Sequence, residues 1–116
     1  MKEINSKAKE FYEFIMPAVD IYDDGNELVI LIDLPGFDKK DINLKIIKNI
    51  LSIKANRSSE NILGTVYYAH RPTTIDKKIV LPFEVKDESV LGSATYTNGV
   101  VTIKIPIDNT GNISII

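Results

Sequence analysis

The chain holds few side chains able to do covalent or proton-transfer chemistry. There is one histidine, His70, and no cysteine, so neither a thiolate nucleophile nor a cysteine-ligated metal is available. No serine sits in a Gly-x-Ser-x-Gly elbow, no glycine is followed by lysine, and Gly-x-Gly-x-x-Gly is absent. His70, beside Arg71-Pro72, reads as a loop or interface residue rather than a general base. Asp20, Asp23, Asp24 and Glu27 could surround a cation, but their spacing differs from that of a helix-loop-helix calcium loop. Gly25 stands where a hairpin turn wants it, so a solvated turn is the better reading. Tyr67 and Tyr68 could stack on nucleic-acid bases, yet no lysine and arginine cluster surrounds them, which favours a protein contact. The expectation is a non-enzymatic protein with no catalytic residue, no cofactor and no metal.

Bulk composition narrows the class further. The 116 residues suit one domain with short arms, and 44% apolar with 26% charged residues is ordinary for a folded chain. A net charge of -2 and a pI of about 5.4 supply no basic face for nucleic acid or for an anionic membrane. The longest apolar run, Leu28 to Ile32, is too short to span a bilayer, and Met1-Lys2-Glu3 opens no signal-peptide hydrophobic core. Together with the absent cysteines this sets the expectation of a cytoplasmic protein without stable membrane insertion. The Asn-x-Ser triplets at Asn56 and Asn112 are then coincidental.

The elements that would position any site follow from periodicity. Ile4, Ala8, Phe11, Tyr12 and Ile15 recur at helical spacing, predicting an amphipathic arm over 1–16 that Pro17 ends. From Ala18 the pattern becomes β-like. Val19 and Ile21 precede the turn cluster Asp23-Asp24-Gly25-Asn26, and Leu28 to Leu34 follow it. Ile42, Leu44 and Ile46 alternate with polar residues, Lys48-Asn49 turns the chain, and Leu51 and Ile53 alternate in the next strand. Residues 56–74 form a long polar connection holding the aromatic piece Val66-Tyr67-Tyr68. Strands are predicted over Lys77–Pro82, Ser93–Thr97 and Val100–Ile105, the last two joined by the hairpin signal Asn98-Gly99. Seven or eight short strands with regular turns predict one all-β domain, a sandwich or a barrel.

The polar segment after Pro106 ends in Ile113-Ser114-Ile115-Ile116, an apolar finish for a chain terminus. In extended backbone Ile113 and Ile115 project to one side, about 7 Å apart, and could plug into a neighbour while the backbone pairs along a sheet edge. The competing Ile105-Pro106-Ile107 runs straight on from a strand without a linker, and reads as that strand's end.

These pieces together resemble the small heat-shock proteins and their α-crystallin domain. Pro17-Ala18-Val19-Asp20-Ile21-Tyr22 looks like that family's first strand. Leu31-Ile32-Asp33-Leu34-Pro35-Gly36-Phe37 with Asp41-Ile42, and Lys77 to Pro82, resemble its middle motifs. Asn98 to Pro106 resembles its late signature, and Ile113-Ser114-Ile115 its tail motif. The resemblance implies an immunoglobulin-like antiparallel β-sandwich over 17–107, and dimers made by strand exchange in the bacterial, plant and archaeal manner. Val66, Tyr67 and Tyr68 of one subunit would pair with Val19, Ile21 and Tyr22 of the other, with Arg71 at the interface. It also implies a groove walled by Ile42, Leu44 and Ile46 on one side and Leu91 and Ser93 on the other, receiving Ile113 and Ile115 of a neighbour. Lys77 stands where many relatives have arginine, and Ile75 replaces a usual aromatic.

The function so implied is an ATP-independent chaperone that holds unfolding client proteins. Its arm residues Ile4, Phe11, Tyr12, Phe14 and Ile15 would bind clients, with dimers assembled into a large homo-oligomer of about 24 subunits. A co-chaperone-like sandwich module, monomeric or dimeric, is the alternative reading; it would not need the isoleucine tail. An enzyme on a sandwich is a third class for which no reacting group can be named.

Overall fold

The computed structural model describes residues 16–58, 63–85 and 93–107. Seven strands form: β1 (Val19–Asp23), β2 (Glu27–Asp33), β3 (Ile42–Ile47), β4 (Ile50–Asn56), β5 (Thr74–Val80), β6 (Ser93–Thr97) and β7 (Val100–Pro106). They make a four-stranded antiparallel sheet in the order β1-β2-β7-β6 and a three-stranded one in the order β3-β4-β5. The expected all-β sandwich is therefore present. The arm over 1–15 and the tail over 108–116 lie outside the described residues.

Alternation decides the inner faces. Leu28, Ile30 and Ile32 of β2 and Val101, Ile103 and Ile105 of β7 point inward from the first sheet. They meet Leu51, Ile53 and Ala55 of β4 and Ile75 of β5, each at most 6% exposed. Each large aliphatic side chain so buried contributes roughly 1.5–3 kcal/mol, set against the entropy of ordering the chain. Among the described residues no polar or charged residue is buried.

Three short turns fix the registers. At β1–β2 one Asp24 carboxylate oxygen accepts hydrogen bonds from the backbone N–H of Asn26 (2.9 Å) and Glu27 (2.7 Å). Asp23 accepts from the N–H of Gly25 (2.7 Å), whose φ of 98° suits glycine. These carboxylates cap a turn, as the sequence reading of a solvated hairpin expects. Lys48, at φ 56°, turns β3 into β4, with Ile47 opposite Ile50. Asn98 and Gly99, both at positive φ, form the turn between β6 and β7.

The chain crosses between sheets through Leu34–Asp41, and this crossover is anchored on the β6–β7 hairpin. Leu34 N–H donates to Gly99 O (2.8 Å), and a Cβ on Gly99 would lie 3.1 Å from Pro35 Cα. The Tyr96 hydroxyl lies 2.6 Å from Leu34 O and 2.8 Å from Phe37 O.

Two local expectations change. Strand β5 begins at Thr74 rather than Lys77 and ends at Val80, because Thr74–Asp76 continue the ladder against Asn56–Lys54. The polar connection is correspondingly 57–73, closed by the Arg57 N–H donating to Thr73 O (2.9 Å). Within a single chain, Val66-Tyr67-Tyr68 takes no strand: it has no ladder partner here, and an isolated extended segment leaves its backbone groups to water.

Candidate interaction surfaces

The His70 ring is stacked at a tilt on Tyr68, with centroids 4.6 Å apart. Among the described residues no group of three or more histidine, aspartate or glutamate side chains is placed to hold a metal ion, and no helix is long and apolar enough to cross a membrane. What the fold does present is unpaired edge and exposed apolar surface.

The first such place is β1, which among the described residues pairs with β2 and has no partner on its other edge. Val19 and Ile21 turn inward and pack against the core, opposite Ile32 and Ile30, while Tyr22 is 50% exposed on the other face. The aromatic segment of the long connection is more exposed still: Leu63 is at 102%, Tyr67 at 82% and Tyr68 at 62%, with Val66 half exposed. No backbone hydrogen bond joins this segment to β1 within the chain. Arg71, expected at the interface, is exposed, and its guanidinium lies against the crossover, 3.1 Å from where a Cβ on Gly36 would stand.

The second place is a cleft of about 170 Å³ where the open edges of β3 and β6 face each other across the sandwich. Ile42 and Leu44 line one side, with Lys39 at the end; Ala94, Thr95 and Tyr96 line the other, over Val101. Ile46 continues the β3 row, inward and opposite Leu51, but does not reach this cleft's lining. Ser93 pairs with Lys104 on the outward face, so Ala94 and Tyr96, opposite Ile103 and Val101, take the inner positions instead. The alternation Ser93-Ala94-Thr95-Tyr96-Thr97 carried that signal, with the larger apolar surface at the even positions. Leu91, Ile113 and Ile115, like Ile4, Phe11, Tyr12, Phe14 and Ile15, lie outside the described residues.

At the β1–β2 turn the backbone N–H groups of Asn26 and Glu27 hold the Asp24 carboxyl below the ordinary value of 3.8. That belongs to the turn and not to either surface.

Known proteins share this arrangement. The family model for the Hsp20/alpha crystallin family matches residues 20–115. A probable 15 kDa heat shock protein of Leptospira interrogans is 34% identical over 98 residues, covering 84% of this chain and 75% of that protein. An 18 kDa heat shock protein of Streptomyces albus G is 34% identical over 94 residues, covering 77% of this chain and 63% of its own length. Among solved structures, a mutant of hsp14.1 from Sulfolobus solfataricus P2 superposes with a TM-score of 0.79 at 42% identity, over 85% of this chain and 84% of that one. A small heat-shock protein from Xylella fastidiosa, described as having a distinct high order structure, superposes at 0.66 with 29% identity, over 87% and 94%. With the family model matched over residues 20–115 and most of its length shared with these proteins, the chain belongs to the Hsp20/alpha crystallin family.

Proposed function

We propose that the chain is an ATP-independent holdase that captures unfolding proteins and keeps them from aggregating. It would work in the cytoplasm as dimers built into a large oligomer, of about 24 subunits. In this reading 1–16 is a client-binding arm presenting Ile4, Phe11, Tyr12, Phe14 and Ile15, 17–107 the sandwich, and 108–116 the docking tail. The observation that carries it is the cleft between the unpaired edges of β3 and β6. Its Ile42 and Leu44 sit two residues apart on one face, the same repeat as Ile113 and Ile115. An extended tail adding to the edge would set its isoleucines against that row.

Magnitudes make the contact reversible. Two buried isoleucines give at best about 3–6 kcal/mol before ordering costs, so a single tail binds at roughly millimolar strength. Several tails on one assembly act together through effective concentration, giving a large particle whose subunits exchange. The exposed Val66, Tyr67 and Tyr68 and the open edge of β1 supply the second contact, a strand exchange forming the dimer. Heating loosens such contacts and bares apolar surface, which recruits clients through their own exposed hydrophobic area without a nucleotide.

The test pairs native mass measurement with a client aggregation assay run without ATP. The full chain is expected as a large assembly that suppresses aggregation; Ile113→Ser with Ile115→Ser, or Leu44→Asp in the cleft, should reduce it to dimers. Elution of the unaltered protein near 13.0 kDa with no client protection refutes the reading.

A further inference from the structure

A cavity of about 280 Å³ shares no lining residue with the tail cleft. Met16, Pro17 and Ala18 line it where the chain enters the fold, with Leu34, Phe37 and Ile75 as its apolar floor. Two arginines, Arg57 and Arg71, share its wall with the single carboxylate of Asp33. Arg57 is half-buried and held rigidly: its Nε donates to Pro72 O (2.8 Å), and its guanidinium carbon lies 5.7 Å from the Phe37 ring centroid. Neither arginine makes an ion pair with any of the described residues. A half-buried guanidinium beside apolar walls calls for an anionic partner that also brings apolar surface.

The segment leading into this cavity has that composition. Glu10-Phe11-Tyr12-Glu13-Phe14-Ile15 alternates carboxylates with large apolar side chains and runs directly into Met16, which is itself part of the wall. Even fully extended, Glu10 stands within about 20 Å of Met16, so the segment is tethered at high effective concentration. We propose that the cavity is the docking site of the chain's own segment 10–15. Phe14 enters the apolar floor, and Glu10 and Glu13 face Arg57 and Arg71. Docking withdraws the arm's aromatic side chains from solvent, and undocking releases them. That consequence rests on the client-binding reading of the arm; the docking itself does not.

The test uses the full chain carrying Phe14→Trp, the only tryptophan in a sequence that otherwise has none. Its emission should be blue-shifted and shielded from acrylamide, and the shielding should survive dilution, because segment and cavity belong to one chain. Arg71→Glu, which leaves the Pro72 and Phe37 contacts of Arg57 intact, should move the docked-to-open ratio by about tenfold toward open, the scale of one charge-assisted contact. Adding Glu10→Arg and Glu13→Arg should restore shielding in the Arg71→Glu background, where Arg57 keeps its contacts. An exposed tryptophan in the protein with both arginines, shielding that fades on dilution, or swapped charges that fail to restore it overturns the proposal. Client protection is read separately: its absence with the tryptophan still shielded sinks the arm's client role and leaves the docking standing.

Discussion

Replacing Tyr96 by phenylalanine separates two jobs that this residue does at one position. Its ring lines the β3–β6 cleft, while its hydroxyl lies 2.6 Å from Leu34 O and 2.8 Å from Phe37 O in the crossover between sheets. One proton is shared between two part-buried acceptors, so its loss leaves both without that donor. A hydrogen bond of this kind contributes roughly 0.5–1.5 kcal/mol, and a stranded buried acceptor costs about 1–3. Water reaching the half-buried site offsets part of that, which places Tyr96→Phe at about 1–2 kcal/mol of destabilisation. For a domain of this size that corresponds to a Tm lower by on the order of 5–10 °C. The assay is thermal and urea unfolding at fixed protein concentration, because assembly itself shifts Tm, with native mass recorded in parallel. Since the ring stays in the cleft, particle mass should not change. A Tm within about 1 °C of the unaltered protein refutes the anchoring argument. A collapse of the assembly at unchanged Tm assigns the hydroxyl to docking instead.

Three further outcomes follow from the same structure. Gly99→Ala forces a Cβ to 3.1 Å from Pro35 Cα at a φ of 78°, and should lower the urea midpoint by the equivalent of roughly 1–3 kcal/mol. Asp24 has a folded-state pKa below its ordinary 3.8, so its contribution to stability is present above that pH and is lost as pH falls through the folded value. Asp24→Asn should therefore flatten the dependence of Tm on pH below about 4, while melting near pH 6 still reports the turn. Val66→Asp with Tyr68→Asp alters side chains already half or more exposed, so circular dichroism should be unchanged while light scattering should show the proposed large assembly breaking down toward single subunits.

Local chemistry made much of this fold legible. Asp23-Asp24-Gly25-Asn26, Lys48-Asn49 and Asn98-Gly99 are turns whose backbone demands are written in residue type, and all three close hairpins. The alternation of Ile42, Leu44 and Ile46 placed that row on the inner face for the same reason. Strand ends were less legible. Thr74–Asp76 belong to β5 only because Asn56 and Lys54 stand opposite to pair with them.

What the sequence alone determined is what depends on neighbours along the chain: turn chemistry, the period of burial, the missing reactive groups and the all-β class. Only the tertiary structure decided which residues distant in sequence meet. It set Ala94 and Tyr96 rather than Ser93 on the cleft, laid Arg71 against Gly36, and held Arg57 over Phe37. Those contacts depend on how two twisted sheets stack and on where the crossover passes between them. Neither is encoded in any short window of residues, because packing is a property of surfaces assembled from separate strands.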